Sequence, residues 1–344
     1  MRCAGRVESR RVSSLGLPES SDELEERGAM SDPLRILLTG EIDAARLAEI
    51  KAIAPNADVT FFDKQDAMEA AIADADIVAG QLSRDALKRA SSIKWVHSWA
   101  AGPNTQLYPE FVDHPVVLTC SKGNGAIPLA EHAMMLMMML NRNAYRWIEG
   151  HRNRKWDAFF HGELNGKTVG IIGAGYSGVD LALKAKAFHM TVLGLRRNNQ
   201  PTPNFDEMFT PDRLHEFLGR SDFVVVTAPK TPETTDMLGE AEFKAMKKTA
   251  FYVCFSRGGV ANDEALYKAI TEGWIAGAGL DAHGVEPLPA DSPFWTAPNT
   301  VITPHNGATT LETKARGYRI FADNLARYVK GEPLINIVDK HLGY

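Results

Sequence analysis

Three segments late in the sequence carry side chains able to bind an anion and move a proton: Ser256-Arg257-Gly258-Gly259, Glu286-Pro-Leu-Pro289 and Thr303-Pro-His305-Asn-Gly307. A guanidinium grips a carboxylate through two parallel hydrogen bonds and polarises a carbonyl beside it. An imidazole donates a proton to an oxygen on which negative charge develops, and takes one back in the reverse direction. A carboxylate next to that imidazole favours its charged form and fixes its orientation. Arg257, Glu286 and His305 therefore suit the interconversion of a 2-oxo acid and a 2-hydroxy acid, with Arg257 on the substrate and His305 as acid/base supported by Glu286. Taken singly, each has an ordinary alternative: a loop cap, a solvated carboxylate, a turn histidine. The case rests on all three ending strands of one sheet.

Such a reaction needs a hydride carrier, and the sequence holds a place for one. Val169–Ile172 is an apolar strand that runs into Gly173-Ala-Gly175-Tyr-Ser-Gly178, followed by a helix expected over Val179–Phe188. Gly173 permits the tight turn, Gly175 lets a pyrophosphate approach the backbone, and Gly178 allows close helix–strand packing. The helix N-terminus adds free N–H groups and partial positive charge. Where a carboxylate would bond the adenosine ribose, the next strand ends in Leu195-Arg196-Arg197. Two guanidinium groups attract a 2′-phosphate that a carboxylate would repel, so NADP(H) is the expected cofactor and NAD(H) the alternative.

The elements that would position these groups alternate. Strands are expected at Leu34–Leu38, Val59–Phe62, Ile77–Gly80, Trp95–Ser98 and Val116–Thr119, with helices at Ala44–Ala52, Asp66–Ala73 and Ser83–Arg89 between them. One long helix is expected from Pro128 to Trp147, where Pro128 suits the first turn. Its run of methionines, Met134 to Met139, reads as deformable packing against a partner surface. A second series follows, with strands at Leu164–Ile172, Thr191–Leu195, Phe223–Thr227, Ala250–Cys254, Ala276–Leu280 and Thr300–Thr303. Helices are expected at Glu240–Met246 and Asn262–Thr271, and a last one at Leu311–Lys330 returns to the first domain. Strands alternating with helices imply parallel sheets covered on both faces. The expected fold is α/β, with two doubly wound parallel-sheet domains: a flavodoxin-like substrate domain over 32–128 plus 312–344, and a Rossmann cofactor domain over 129–311.

Composition narrows the function classes. The 344 residues suffice for two domains, and 44% hydrophobic with 24% charged residues is ordinary for a globular chain. A net charge of −5 leaves no electrostatic footprint for nucleic acid or anionic lipid. Three scattered cysteines, Cys3, Cys120 and Cys254, form neither a disulfide framework nor a metal-ligand pattern and suggest a reducing, cytoplasmic setting. No apolar run reaches the roughly 18 residues of a membrane span. Residues 1–31, with Arg2, Arg6, Arg10 and Arg11 before a serine-rich and then acidic stretch, lack the apolar core of a secretory signal and read as a disordered extension.

With these pieces in place, the chain resembles the D-isomer-specific 2-hydroxyacid dehydrogenase family from about Leu34 to Val338. The resemblance is carried by Gly123-Asn-Gly-Ala-Ile-Pro-Leu-Ala-Glu-His132, Leu164-Asn-Gly-Lys-Thr-Val-Gly-Ile-Ile-Gly173, Thr231-Pro-Glu-Thr-Thr235 and the three segments above. It implies an outer substrate domain made from both chain ends, a central cofactor domain, and a homodimer built on the cofactor domains and the methionine-rich helix. It implies that backbone N–H groups of Ala101 and Gly102 hold the substrate carboxylate beside Arg257. Tyr176 and Ser177 match the pyrophosphate turn, and Thr227, Ala228 and Pro229 the cofactor edge. Cys254, Asp281, His305 and Gly307 match the nicotinamide end. Arg196 in place of the ribose carboxylate resembles NADPH-using glyoxylate and hydroxypyruvate reductases. His283 and Gly284 depart from the family, which commonly has an aromatic or acidic residue there; His283 reads as structural. The alternatives are a nucleotide-sensing scaffold of the co-repressor kind, a phosphoglycerate dehydrogenase, or phosphite or formate oxidation on the same fold.

Overall fold

The computed structural model describes residues Pro33–Gly343, so the expected N-terminal extension lies outside the described residues. A parallel strand buried on both faces has no solvent side, so its residues are apolar without alternation. Ile36, Leu37 and Leu38, Ile77, Val78 and Ala79, and Val224, Val225 and Val226 are all fully buried. Two compact units result: one up to Ser121 together with Gly317–His341, the other Lys122–Arg316.

The first unit runs β1 (Arg35–Leu38), α1 (Ala44–Ile53), β2 (Asp58–Phe61), α2 (Gln65–Ala70), β3 (Ile77–Ala79), α3 (Arg84–Arg89), β4 (Trp95–Ser98), α4 (Pro109–Val112) and β5 (Val117–Cys120). The five strands are parallel in the order β2-β1-β3-β4-β5, a flavodoxin-like winding. Side-chain acceptors start two of the helices: Asp43 bonds the Arg46 N–H and Ser83 the Ala86 N–H. The late segment completes this core. Phe321 and Tyr328 each stack on Trp95 at 5.5 Å, and Tyr318, Phe321, Ala322 and Leu325 pack with Ile36, Leu38 and Ile50.

One polar side chain sits at the centre of that core. The His97 ring is fully buried, with Nδ1 2.8 Å from Thr119 Oγ1 and Nε2 3.2 Å from Ser121 Oγ. Thr119 Oγ1 also accepts from Trp95 Nε1 at 2.8 Å, so hydroxyls hold both nitrogens of the neutral ring. Burial holds the His97 pKa down to about 3. The unfolded chain has the ordinary value near 6.5, so between those pH values the unfolded state binds more protons and stability rises with pH. We expect acidification from pH 7 to 5 to remove about 2 kcal/mol of unfolding free energy through this group. Urea titrations at the two pH values check it: His97→Gln should lose correspondingly less, and an equal acid loss in both proteins would contradict it.

The second unit runs α5 (Ala126–Asn141), α6 (Ala144–Arg152), β6 (Thr168–Ile172), α7 (Tyr176–Ala187), β7 (Thr191–Leu195), β8 (Glu207–Phe209), α8 (Leu214–Arg220), β9 (Phe223–Val226), α9 (Glu240–Ala245), β10 (Phe251–Cys254), α10 (Asp263–Thr271), β11 (Gly277–Leu280) and β12 (Thr300–Ile302). Then α11 (Leu311–Val329) begins here and carries the chain into the first unit. Seven parallel strands lie in the order β12-β11-β10-β9-β6-β7-β8, the Rossmann winding extended by one strand. Both sheets are therefore doubly wound, as the alternation of elements predicts.

The structure corrects several details. The single helix expected from Pro128 to Trp147 is two, because Asn143 takes a left-handed conformation (φ 56°) that ends one helix and starts the next. The methionine run is not all outward packing. Met134 and Met137 are buried in the core that α5 forms with β6, β7, β9 and α7, while Met135 and Met138 are exposed. Downstream of α6, Trp156 and Phe160 are almost wholly exposed. Helix α7 starts at Tyr176, three residues before the expected start, inside the glycine motif. β8 and α8 were not anticipated. Among the described residues no helix is long and apolar enough to cross a membrane.

Candidate active site

β6 and β9 pair directly although β7 and β8 separate them in sequence. The chain leaves the sheet in opposite directions there, and a crevice opens at the carboxyl ends of the two strands. Gly173 follows β6 and Thr227-Ala228-Pro229 follow β9, so the glycine turn stands at this switch point. Gly173 has φ +106°, and a Cβ on it would lie 2.7 Å from Thr227 Oγ1. A Cβ on Gly178 would lie 2.1 Å from the Gly173 carbonyl oxygen. These two are glycine because the chain's own atoms crowd them. A Cβ on Gly175 would meet nothing within 4 Å, so the space over its backbone is open.

Helix α7 also lacks a side-chain N-cap, leaving its first-turn N–H groups for an external acceptor. Open space at Gly175 over an uncapped N-terminus fits a pyrophosphate. Tyr176 is exposed with its ring against Gly123, and the Thr227 hydroxyl donates to the Gly173 carbonyl at 2.6 Å, bracing the turn. At the end of β7, the Arg196 guanidinium lies 3.4 Å from Thr202 Oγ1. Arg197 pairs with Glu233 at 3.6 Å, both side chains more than half exposed.

Strands β10, β11 and β12 are successive neighbours, and the segments carrying Arg257, Glu286 and His305 leave their carboxyl ends. His305 Nδ1 lies 2.7 Å from Glu286 Oε2, and Glu286 Oε1 accepts the His283 backbone N–H at 2.8 Å. Burial pushes the Glu286 carboxyl up, but the His283 N–H and the His305 ring outweigh it and hold it below the usual carboxylate range. An ionised Glu286 only accepts, so His305 Nδ1 carries a hydrogen and Nε2 is left for proton exchange. Both side chains are about one-third exposed, open to a ligand. His305 itself is left-handed, φ 51°, an arrangement costing about 1–3 kcal/mol that persists only where the surroundings impose it.

Arg257 stands on the same strand-end rim, but its Nη1 donates to the Ser256 carbonyl at 2.7 Å, not to Glu286 or His305. A Cβ on Gly258 would lie 1.9 Å from the His283 carbonyl oxygen, so the Arg257-Gly258 turn abuts the 283–286 loop. Arg257 and His283 also line a cavity of about 480 Å³, with Tyr267, Leu288 and Phe294 among its other walls. That volume suits a small ligand, but Glu286 and His305 are not among its walls, so it is not by itself the reaction crevice.

Two residues expected at the nicotinamide end face inward. Cys254 is buried, its thiol pushed up by burial and donating to the Arg257 carbonyl at 3.4 Å, so it offers no thiolate. Asp281 is fully buried. Its Oδ1 accepts from Thr303 Oγ1 at 2.6 Å and from the Asn306 N–H at 3.0 Å; its Oδ2 accepts from the Gly307 N–H at 3.0 Å. Asp281 thus holds the turn that presents His305. Sequence reasoning missed two further residues that support this turn: His132 on α5, whose Nε2 is 2.9 Å from Thr303 Oγ1, and Thr303 itself. Both lie within quoted motifs, yet no local signal ties residue 132 to residue 303.

In the first unit, Ala101 and Gly102 form part of the loop after β4. Trp99 Nε1 donates to the Thr39 carbonyl at 2.9 Å, and the Ser121 N–H bonds the Ala100 carbonyl at 3.1 Å, fixing this loop. Among the described residues, neither the Ala101 nor the Gly102 N–H has an acceptor.

Residues 134–307 match the family model described as D-isomer specific 2-hydroxyacid dehydrogenase, NAD binding domain. A glyoxylate reductase from Korarchaeum cryptofilum is 32% identical over 275 residues, covering 77% of this chain and 82% of that protein. Among solved structures, a D-isomer specific 2-hydroxyacid dehydrogenase family protein from Aeromonas salmonicida superposes with a TM-score of 0.81 at 29% identity, covering 90% of this chain and 100% of that one. An NADPH-dependent glyoxylate/hydroxypyruvate reductase from Sinorhizobium meliloti, in complex with NADP and sulfate, gives 0.78 at 26% identity, covering 90% and 100%.

Proposed function

Since the chain belongs to the D-isomer specific 2-hydroxyacid dehydrogenase family, we propose that it interconverts a small D-2-hydroxy acid and its 2-oxo acid, glyoxylate or hydroxypyruvate being the model substrates, with NADP(H) as the preferred cofactor. The observation that carries this reading is the 2.7 Å contact between His305 Nδ1 and Glu286 Oε2 at the carboxyl edge of the sheet that bears the glycine turn.

The residues divide the work. The backbone of Gly173 to Gly178 and the α7 N-terminus bind the pyrophosphate, and Arg196 with Arg197 takes the 2′-phosphate. A bound nicotinamide supplies the hydride. Arg257 keeps further N–H donors beyond the one on Ser256, and with them holds the substrate carboxylate and polarises its carbonyl. His305 Nε2 gives its proton to the carbonyl oxygen as hydride reaches the carbon, and Glu286 stabilises the imidazolium before that transfer. Read in reverse, the same atoms take the proton from a 2-hydroxy acid. Asp281 and Cys254 act through the turns they hold. In this reading the protein is a homodimer, and the exposed Met135, Met138, Trp156 and Phe160 face the second copy.

A steady-state panel of 2-oxo acids with NADPH and with NADH tests the reading. Turnover of short 2-oxo acids, favoured by NADPH, is expected. An absence of turnover across the panel, with the purified protein folded and NADPH bound, would overturn it.

A further inference from the structure

His132 and His283 come from different elements and meet on one residue. His132 lies on α5 and His283 on the loop after β11; Nε2 of His132 is 2.9 Å from Thr303 Oγ1, and Nε2 of His283 is 3.1 Å from the Thr303 carbonyl oxygen. The hydrogens can be assigned. Thr303 Oγ1 gives its proton to Asp281 at 2.6 Å, so it accepts from His132; a carbonyl only accepts, so His283 also donates. Both rings therefore carry a hydrogen on Nε2. The His132 side chain is only 12% exposed and its Nε2 is 3.5 Å from Asp281 Oδ1. A Cβ on Gly307 would lie 2.9 Å from Asp281 Oδ2 and 3.0 Å from His132 Cγ, so the far end of the turn closes on the same pair.

Thr303 is two residues before His305, and His305 holds a left-handed backbone that its sequence does not favour. We infer that His132 and His283 are positioning residues that clamp Thr303 from two sides and so set the orientation of the His305 ring. His283 acts twice: its ring holds the turn that carries His305, and its backbone N–H holds the carboxylate that His305 meets. A small angular error there displaces Nε2 from the reacting oxygen without altering cofactor or substrate binding. The role of the clamp in turnover rests on the reading above; its structural effect on His305 does not.

The test compares Asn and Gln at each position. Gln places its amide nitrogen where His Nε2 stands, whereas the shorter Asn falls short of Thr303. We expect His132→Asn and His283→Asn each to lower kcat about tenfold, with KM for the 2-oxo acid and Kd for NADPH within about twofold. His132→Gln and His283→Gln should recover most of the loss. In the same proteins, long-range 1H–15N spectra follow the His305 ring through a pH titration: its midpoint should move in the Asn forms and return in the Gln forms. Unchanged kcat and His305 titration in both Asn forms would overturn the clamp, as would equal losses in Asn and Gln forms that track a fall in Tm. Should an Asn form not fold, His132→Leu and His283→Leu replace it with the same expectations. A wild-type protein with no turnover removes the proposed activity alone, and the ring titration then decides the clamp.

Discussion

Replacing His305 by glutamine is expected to lower kcat for 2-oxo acid reduction about a thousandfold while leaving the Kd for NADPH within about twofold. The size follows from what is lost. A positioned acid of suitable pKa contributes roughly a hundred- to ten-thousandfold, and His305 is the group here with a nitrogen held toward the crevice by a carboxylate on the opposite side of its ring. Glutamine keeps polarity and part of the volume but has no dissociable proton at the working pH, so the alkoxide must wait for water. The split matters as much as the size. His305 follows β12, three strands beyond the β9 edge of the crevice and away from the glycine turn after β6, so dinucleotide affinity should not follow kcat. Single-turnover kinetics with NADPH in excess isolate the step. A variant within tenfold of wild type would sink the assignment of His305.

The second large effect concerns the cofactor. Arg196→Asp is expected to reduce kcat/KM for NADPH about a hundredfold and to turn the preference toward NADH. A charge-assisted bond to phosphate contributes roughly 1.5–3 kcal/mol, and a carboxylate in its place adds repulsion. Arg196 should dominate over its neighbour: among the described residues its guanidinium bonds only Thr202 Oγ1, at 3.4 Å, while Arg197 is shared with Glu233. The Arg197–Glu233 pair is exposed and therefore weak, so it does not bar Arg197 from a phosphate. Wild-type KM for NADPH should also rise with ionic strength more steeply than KM for NADH. Equal losses with both cofactors, or none, would count against a 2′-phosphate site at the end of β7.

How far these sites could be read from sequence depends on the range of the interaction. The strands were legible because buried parallel strands are short apolar runs: Thr191–Leu195 and Trp95–Ser98 fall where their residues predict. The glycine turn was legible because strand, turn and helix are contiguous. The break at Asn143 was not, since nothing apolar or proline-like marks it and only its left-handed φ divides the helix. β8 and α8 are short and weakly patterned, below what periodicity resolves. Of the site, the pairing of Glu286 with His305 was inferred from chemistry, and the two side chains are in contact. The inward turn of Asp281 and the convergence of His132 and His283 on Thr303 were not visible. His132 is separated from Thr303 by 171 positions, and a histidine amid methionines on a helix carries no local sign of its partner.

The stacking of Phe321 and Tyr328 on Trp95 sets an order of events during translation. When β4 leaves the ribosome, the aromatic rings that will cover it are roughly 230 codons away, about ten to fifty seconds at ordinary elongation rates. The second unit has every strand it needs before those rings are made. On the nascent chain, Trp95 therefore waits for α11 before it gains these two ring contacts.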